Sequence, residues 1–141
     1  MTATGILLPA TALIGWTLLV LLLLPWRRFR AAAARRVHIA DFRLGESANV
    51  PADVSLPNRN WMNLLEAPVL FYAISVMLFA TQLADRADVL LAWGYVGLRV
   101  VHSLVHIGYN DVMHRLAAFA TSNIVLLVLW ARLAWRLAGA A

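Results

Sequence analysis

Two short clusters in this sequence carry side chains whose types and spacing could do chemistry. In the first, Arg59, Asn63 and Glu66 stand at i, i+4 and i+7, one polar stripe on an otherwise apolar helix. In the second, Arg99, His102, His106 and Tyr109 follow at intervals of three, four and three, which places them on one helix face about 80° wide. Arg115 follows shortly after. Three arginines and two histidines against a single carboxylate leave a surplus of positive charge, and that surplus suits an anionic ligand. The pair His102 and His106 also has the spacing of helical zinc ligands. The residues between them are Ser103, Leu104 and Val105, without the glutamate of H-E-x-x-H, and the neighbouring arginines repel a cation even if His114 or Glu66 were to join. No metal ligands are assigned.

The elements that must position these groups are membrane helices. The chain of 141 residues is 62% hydrophobic and 13% charged, about half the charged share of a soluble domain. Four stretches reach the roughly 20 apolar residues that a bilayer core requires: Gly5 to Trp26, Met62 to Leu83, Val89 to Tyr109 and Leu116 to Leu137. The first lacks a basic residue before its apolar core and a small-residue cleavage site after it, so it is expected to be a retained helix. Five arginines, Arg27, Arg28, Arg30, Arg35 and Arg36, follow it at once. They act as a topology signal rather than a nucleic-acid surface, and put the loop from Arg27 to Leu56 in the cytoplasm with both termini on the opposite side. The remaining connections are short, so the last three crossings are antiparallel neighbours. The expectation is one all-α domain over residues 1–141, a four-helix up-and-down transmembrane bundle with helices at about 5–26, 58–83, 88–110 and 115–137. With no cysteine, disulfides and protein thiolates are excluded.

In that frame Arg99 lies about 15 Å deep, with Glu66 at about 12 Å and His102 at about 10 Å. A buried arginine needs a partner, and Glu66 is expected to neutralise Arg99 or His102. Arg59, His106, Tyr109 and Arg115 then ring the cytoplasmic mouth of a funnel. Pro68 is expected to kink the second helix just beyond Glu66.

The run Arg59-Asn60-Trp61-Met62-Asn63-Leu64-Leu65-Glu66-Ala67-Pro68, the set Arg99, His102 and His106, and Arg115 at the head of the fourth helix resemble the MAPEG family, the membrane-associated proteins of eicosanoid and glutathione metabolism, and look like its bacterial branch. The resemblance covers most of the chain. It implies a homotrimer in the bacterial inner membrane that binds glutathione as co-substrate between subunits and acts on a small apolar substrate delivered by the membrane lipids. Carried over by position, Arg59, Asn63, Glu66, Arg99, His102 and His106 would hold the tripeptide, and Arg115 would be the catalytic group, stabilising the thiolate of a sulfur whose ordinary pKa is about 8.5. The activity implied is a glutathione S-transferase or peroxidase. Three departures bear on it: His106 stands where the family often has a tyrosine, Leu116 where catalytic members can carry serine, and Phe119 where another tyrosine can occur. The alternative is a non-catalytic membrane module that uses the polar cluster for assembly or for an anionic ligand.

Overall fold

The computed structural model describes residues 3–140. Four helical spans, Thr4–Ala33, Ala52–Ala80, Arg86–Ile107 and Val112–Gly139, are long and apolar enough to cross a bilayer, and the chain is an integral membrane protein with an up-and-down bundle. A 3-10 turn at Ala3–Ile6 leads into α1 (Leu7–Ala33). The second crossing is two helices, α2 (Ala52–Leu65) and α3 (Pro68–Ala80), followed by α4 (Arg86–Ile107) and α5 (Val112–Ala140). The core is an apolar seam of Leu13, Leu64, Phe71, Leu78, Ala92, Tyr95 and Leu129, with the Phe71 and Tyr95 rings stacked at 4.6 Å. Leucines such as Leu18, Leu22, Leu70, Leu90 and Leu127 point outward, as a lipid solvent permits.

The helices flanking the first loop extend further than the apolar stretches. α1 runs past Trp26 to Ala33 and α2 starts at Ala52, because alanine and arginine are strong helix formers that carry α1 on beyond the hydrocarbon. The two ends are tied together. Arg36 makes a two-pronged pair with Asp53 at 2.8 and 3.1 Å, and Ala31, Val37, Val50 and Val54 form a small second core.

The second crossing breaks where Pro68 stands. Proline lacks an N–H and its ring blocks the carbonyl four residues back, so Glu66 leaves helical geometry at ψ −94° and α3 restarts with Pro68 in its first turn. The kink expected beyond Glu66 is thus a complete interruption at Glu66.

At the opposite end the structure holds a charge cluster. Asp85 caps α4 by accepting from the N–H of Asp88, and Asp88 returns the bond to the N–H of Asp85. From α5, Arg132 donates to Asp88 at 2.6 Å and to Asp85 at 2.8 Å, while Arg136 donates to both carboxylates and to the Leu83 carbonyl. The Asp88 side chain is fully buried. Two carboxylates and two guanidiniums one turn apart therefore cancel and clamp the start of α4 to the end of α5.

Removing a buried partner leaves its mates uncompensated, so Asp88→Ala is expected to lower stability by about 3 kcal/mol or more in thermal unfolding of the detergent-solubilised protein. Acid should loosen the same clamp. Burial alone would raise the Asp85 carboxyl, but the Asp88 N–H and the two guanidiniums outweigh it and hold it below its ordinary value. The stabilisation is complete above the unfolded value of about 3.9 and is lost as pH falls through the lower folded value. Tm plotted against pH is accordingly expected to fall less steeply below about pH 4 in Asp85→Asn than in the unaltered chain.

Candidate functional site

The break at Pro68 sets up the site. The last turn of any α-helix leaves carbonyls without helical donors and carries the negative end of the dipole. Arg99 of α4, with no solvent exposure, aims its guanidinium at that end of α2: Nη2 donates to the Asn63 main-chain carbonyl at 2.7 Å and to its side-chain Oδ1 at 2.6 Å. The Phe119 ring of α5 covers the guanidinium at 5.5 Å from its centroid. Glu66 acts on Arg99 through space but does not close on it: among the described residues it forms no salt bridge, and at the break its side chain is exposed. Arg59 is exposed as well.

One turn along α4, His102 is buried and its Nδ1 lies 3.0 Å from the Arg115 main-chain carbonyl in the first turn of α5. A carbonyl only accepts, so this nitrogen carries the proton and Nε2 is left as an acceptor. His106 packs edge-on against His102 with ring centres 5.6 Å apart, and the tilted Phe119 ring lies 5.7 Å from His102. Arg115 is half-buried, with Nη1 donating to Asn110 at 2.8 Å. Tyr109 lies past the end of α4 and is exposed, paired through its hydroxyl with His114 at 2.9 Å, so it does not join the histidines. Among the described residues no three histidine or carboxylate side chains converge as a metal site would require.

These groups enclose an open cavity of about 290 Å³ lined by Asn63, His102, His106, Val112, Arg115, Leu116 and Phe119. Of the seven site residues expected from sequence, Asn63, His102, His106 and Arg115 line it, Arg99 is sealed behind Asn63 and Phe119 and does not line it, and Arg59 and Glu66 lie outside as well. Buried polar atoms without a hydrogen-bond partner cluster here: Nε and Nη1 of Arg99, Nε2 of His102 and Nδ1 of His106. Native interiors satisfy such groups with water or ligand. The cavity can therefore offer one guanidinium, an amide and two imidazoles to an anion, and leaves one wall apolar. In the sequence Phe119 stands out only as a position without a hydroxyl. Its position four residues after Arg115, on the same face of α5, was the available sign that it would cover Arg99 and His102.

The model of the MAPEG family matches residues 6–135, which spans all four crossings and every residue of this site. No curated protein and no solved structure matches the chain.

Asn63 is the hinge of the Arg99 arrangement. Asn63→Leu removes one of the two acceptors of a buried cation and is expected to cost about 1–3 kcal/mol. The double variant Asn63→Leu with Arg99→Met should recover part of that loss, and equal losses in both would show that the pair is not what holds α2 to α4.

Proposed function

Because the chain belongs to the MAPEG family, we propose that it is a glutathione-dependent transferase or peroxidase acting on apolar electrophiles. The observation that supports the reading most directly is the half-buried Arg115 guanidinium on the wall of a cavity that also presents Asn63, His102 and His106. A cation there would stabilise a thiolate, while Asn63 and the imidazoles supply donors and acceptors for carboxylate, amide and amine groups. Glutathione would supply the sulfur: in transfer a carbon–sulfur bond forms as the leaving group departs, and in peroxide reduction two thiols give one disulfide, an alcohol and water.

Arg59 and Glu66 extend this reading beyond one subunit. Both are exposed on a membrane-spanning helix, where an uncovered carboxylate or guanidinium is costly. A homotrimer in which a second copy lies over α2 would cover them and bring them to the tripeptide at the cavity rim. The arginine-rich loop orients the protein with this cavity towards the cytoplasm, in the inner membrane of a bacterium, and both termini on the other side.

A second reading has its own support. Leu116 and Phe119 face the cavity, so neither of those positions offers a hydroxyl to sulfur. That arrangement fits a module that binds an anion without turnover.

The two readings part under one pair of measurements. Millimolar glutathione is expected to raise the Tm of the purified protein, since a ligand at a hundred times its Kd stabilises by about 2.7 kcal/mol. Arg115→Ala is expected to cut conjugation of a model electrophile about tenfold, the effect of one pKa unit on the thiolate fraction at neutral pH. A thermal shift without conjugation above the buffer rate favours the binding module. With neither shift nor turnover, glutathione is not the ligand.

A further inference from the structure

The loop between α1 and α2 is tied back to α1 just past its apolar stretch and carries one exposed leucine with an arginine beside it. α1 leaves the apolar region at Trp26, and Arg28 follows two residues later, about 3 Å further along the axis. Arg28 then gathers the loop back to its own level. Its guanidinium lies 4.7 Å from the centre of the Phe42 ring and donates to Glu46 at 2.9 Å. Between these two anchors the segment 41–47 is closed on itself: the Ser47 N–H donates to the Asp41 carbonyl at 2.8 Å and its hydroxyl donates to the Asp41 carboxylate at 2.9 Å. Gly45 turns the chain at φ +97°, a conformation that side chains other than glycine rarely adopt. Leu44 sits at the tip and is 98% exposed.

Around that tip the polarity is that of an interfacial surface. Ile39 is 90% exposed, and on α1 Phe29 and Trp26, which flank Arg28, are exposed too. The acidic residues nearby are spoken for, Asp41 by Ser47 and His38, Glu46 by Arg28 and Asp53 by Arg36. Arg35 and Arg43 are exposed and have no side-chain partner among the described residues. A free-standing water-facing loop gains nothing from presenting Leu44 and Ile39, and a nucleic-acid surface would not need them. Apolar tips beside unpaired arginines, on a loop that Arg28 ties to α1 two residues past its interfacial tryptophan, match the boundary of an anionic bilayer.

We propose that the segment 35–47 is a lipid-reading element: Leu44 and Ile39 insert at the headgroup boundary while Arg35 and Arg43 bind the phosphates of anionic phospholipids. Here α1 and the loop anchors set the depth, and the lipid headgroup supplies the charge. The element lies on the same side of the bundle as the cavity, and its occupancy would depend on the lipid composition of that leaflet.

The chain has no cysteine, so single-cysteine variants report from one place. A spin label on Leu44→Cys, with Asn49→Cys as the exposed control, is placed in the full-length protein in nanodiscs of phosphatidylcholine alone or mixed with phosphatidylglycerol. Collision with oxygen is compared with collision with a nickel chelate. The expected result is that position 44 becomes protected from nickel and open to oxygen as phosphatidylglycerol increases, while position 49 stays in water. Arg35→Ser and Arg43→Ser should each lower the equilibrium constant for protection about fivefold. Equal water exposure of position 44 in both lipids overturns the proposal. So does protection that is the same in both lipids and in detergent, which would place a second copy of the chain on the loop. Protection that survives the double variant Arg35→Ser with Arg43→Ser overturns the phosphate contact.

Discussion

A guanidinium sealed inside a membrane bundle must find negative potential somewhere, and in this protein it finds a helix end. Pro68 interrupts the second crossing, the interruption leaves α2 with a free carbonyl terminus, and Arg99 closes on that terminus through Asn63. The consequences reach every part of the site. Asn63 is held at the cavity wall, Phe119 is drawn over the guanidinium, and Glu66 is released to the outer face. A salt bridge would have buried Glu66 beside Arg99 within one subunit. With the hydrogen bonds of Arg99 given to Asn63, Glu66 acts on it only through space, and the only carboxylate of the polar stripe stays exposed.

The bundle is stiffened electrostatically at both ends by different devices. On the basic side, the extended α1 and α2 are joined by Arg36 with Asp53 and by the small cluster around Val37 and Val54. On the other side, Asp85 and Asp88 hold Arg132 and Arg136, and Asp88 is fully buried in doing so. α5 is thus fixed near its far end by the clamp and near its start by the His102 hydrogen bond to the Arg115 carbonyl. Because a helix transmits rotation along its length, these two fixings together set the direction in which the Arg115 guanidinium leaves α5.

The same logic relates the loop to the helices. α1 continues past the hydrocarbon because its Ala/Arg run is a good helix, and this extra length gives Arg28 the reach to bind Phe42 and Glu46. A run of arginines that serves as a topology signal in sequence serves in three dimensions as the scaffold on which the loop is folded.

Segment length and apolarity by themselves determined four crossings, since a bilayer demands about 20 apolar residues per helix and little else in a sequence satisfies that demand. Period determined that Arg99, His102 and His106 share a face, and the residues Asn63, His102, His106 and Arg115 do meet at one cavity. Depth along a helix axis is also legible, and it was depth that suggested Glu66 for Arg99. Azimuth is not: at the break Glu66 stays exposed, acting on Arg99 through space without a salt bridge to it. The clamp was equally hidden: Asp85-x-x-Asp88 and Arg132-x-x-x-Arg136 are each ordinary in sequence, and they become one object only because antiparallel packing brings residues 44 to 51 positions apart into hydrogen-bond contact. Periodicity belongs to one helix and can be read from it. Which partner a charge chooses is decided between helices, where a freed carbonyl, a ring face or a second carboxylate competes on distances that only the tertiary structure sets.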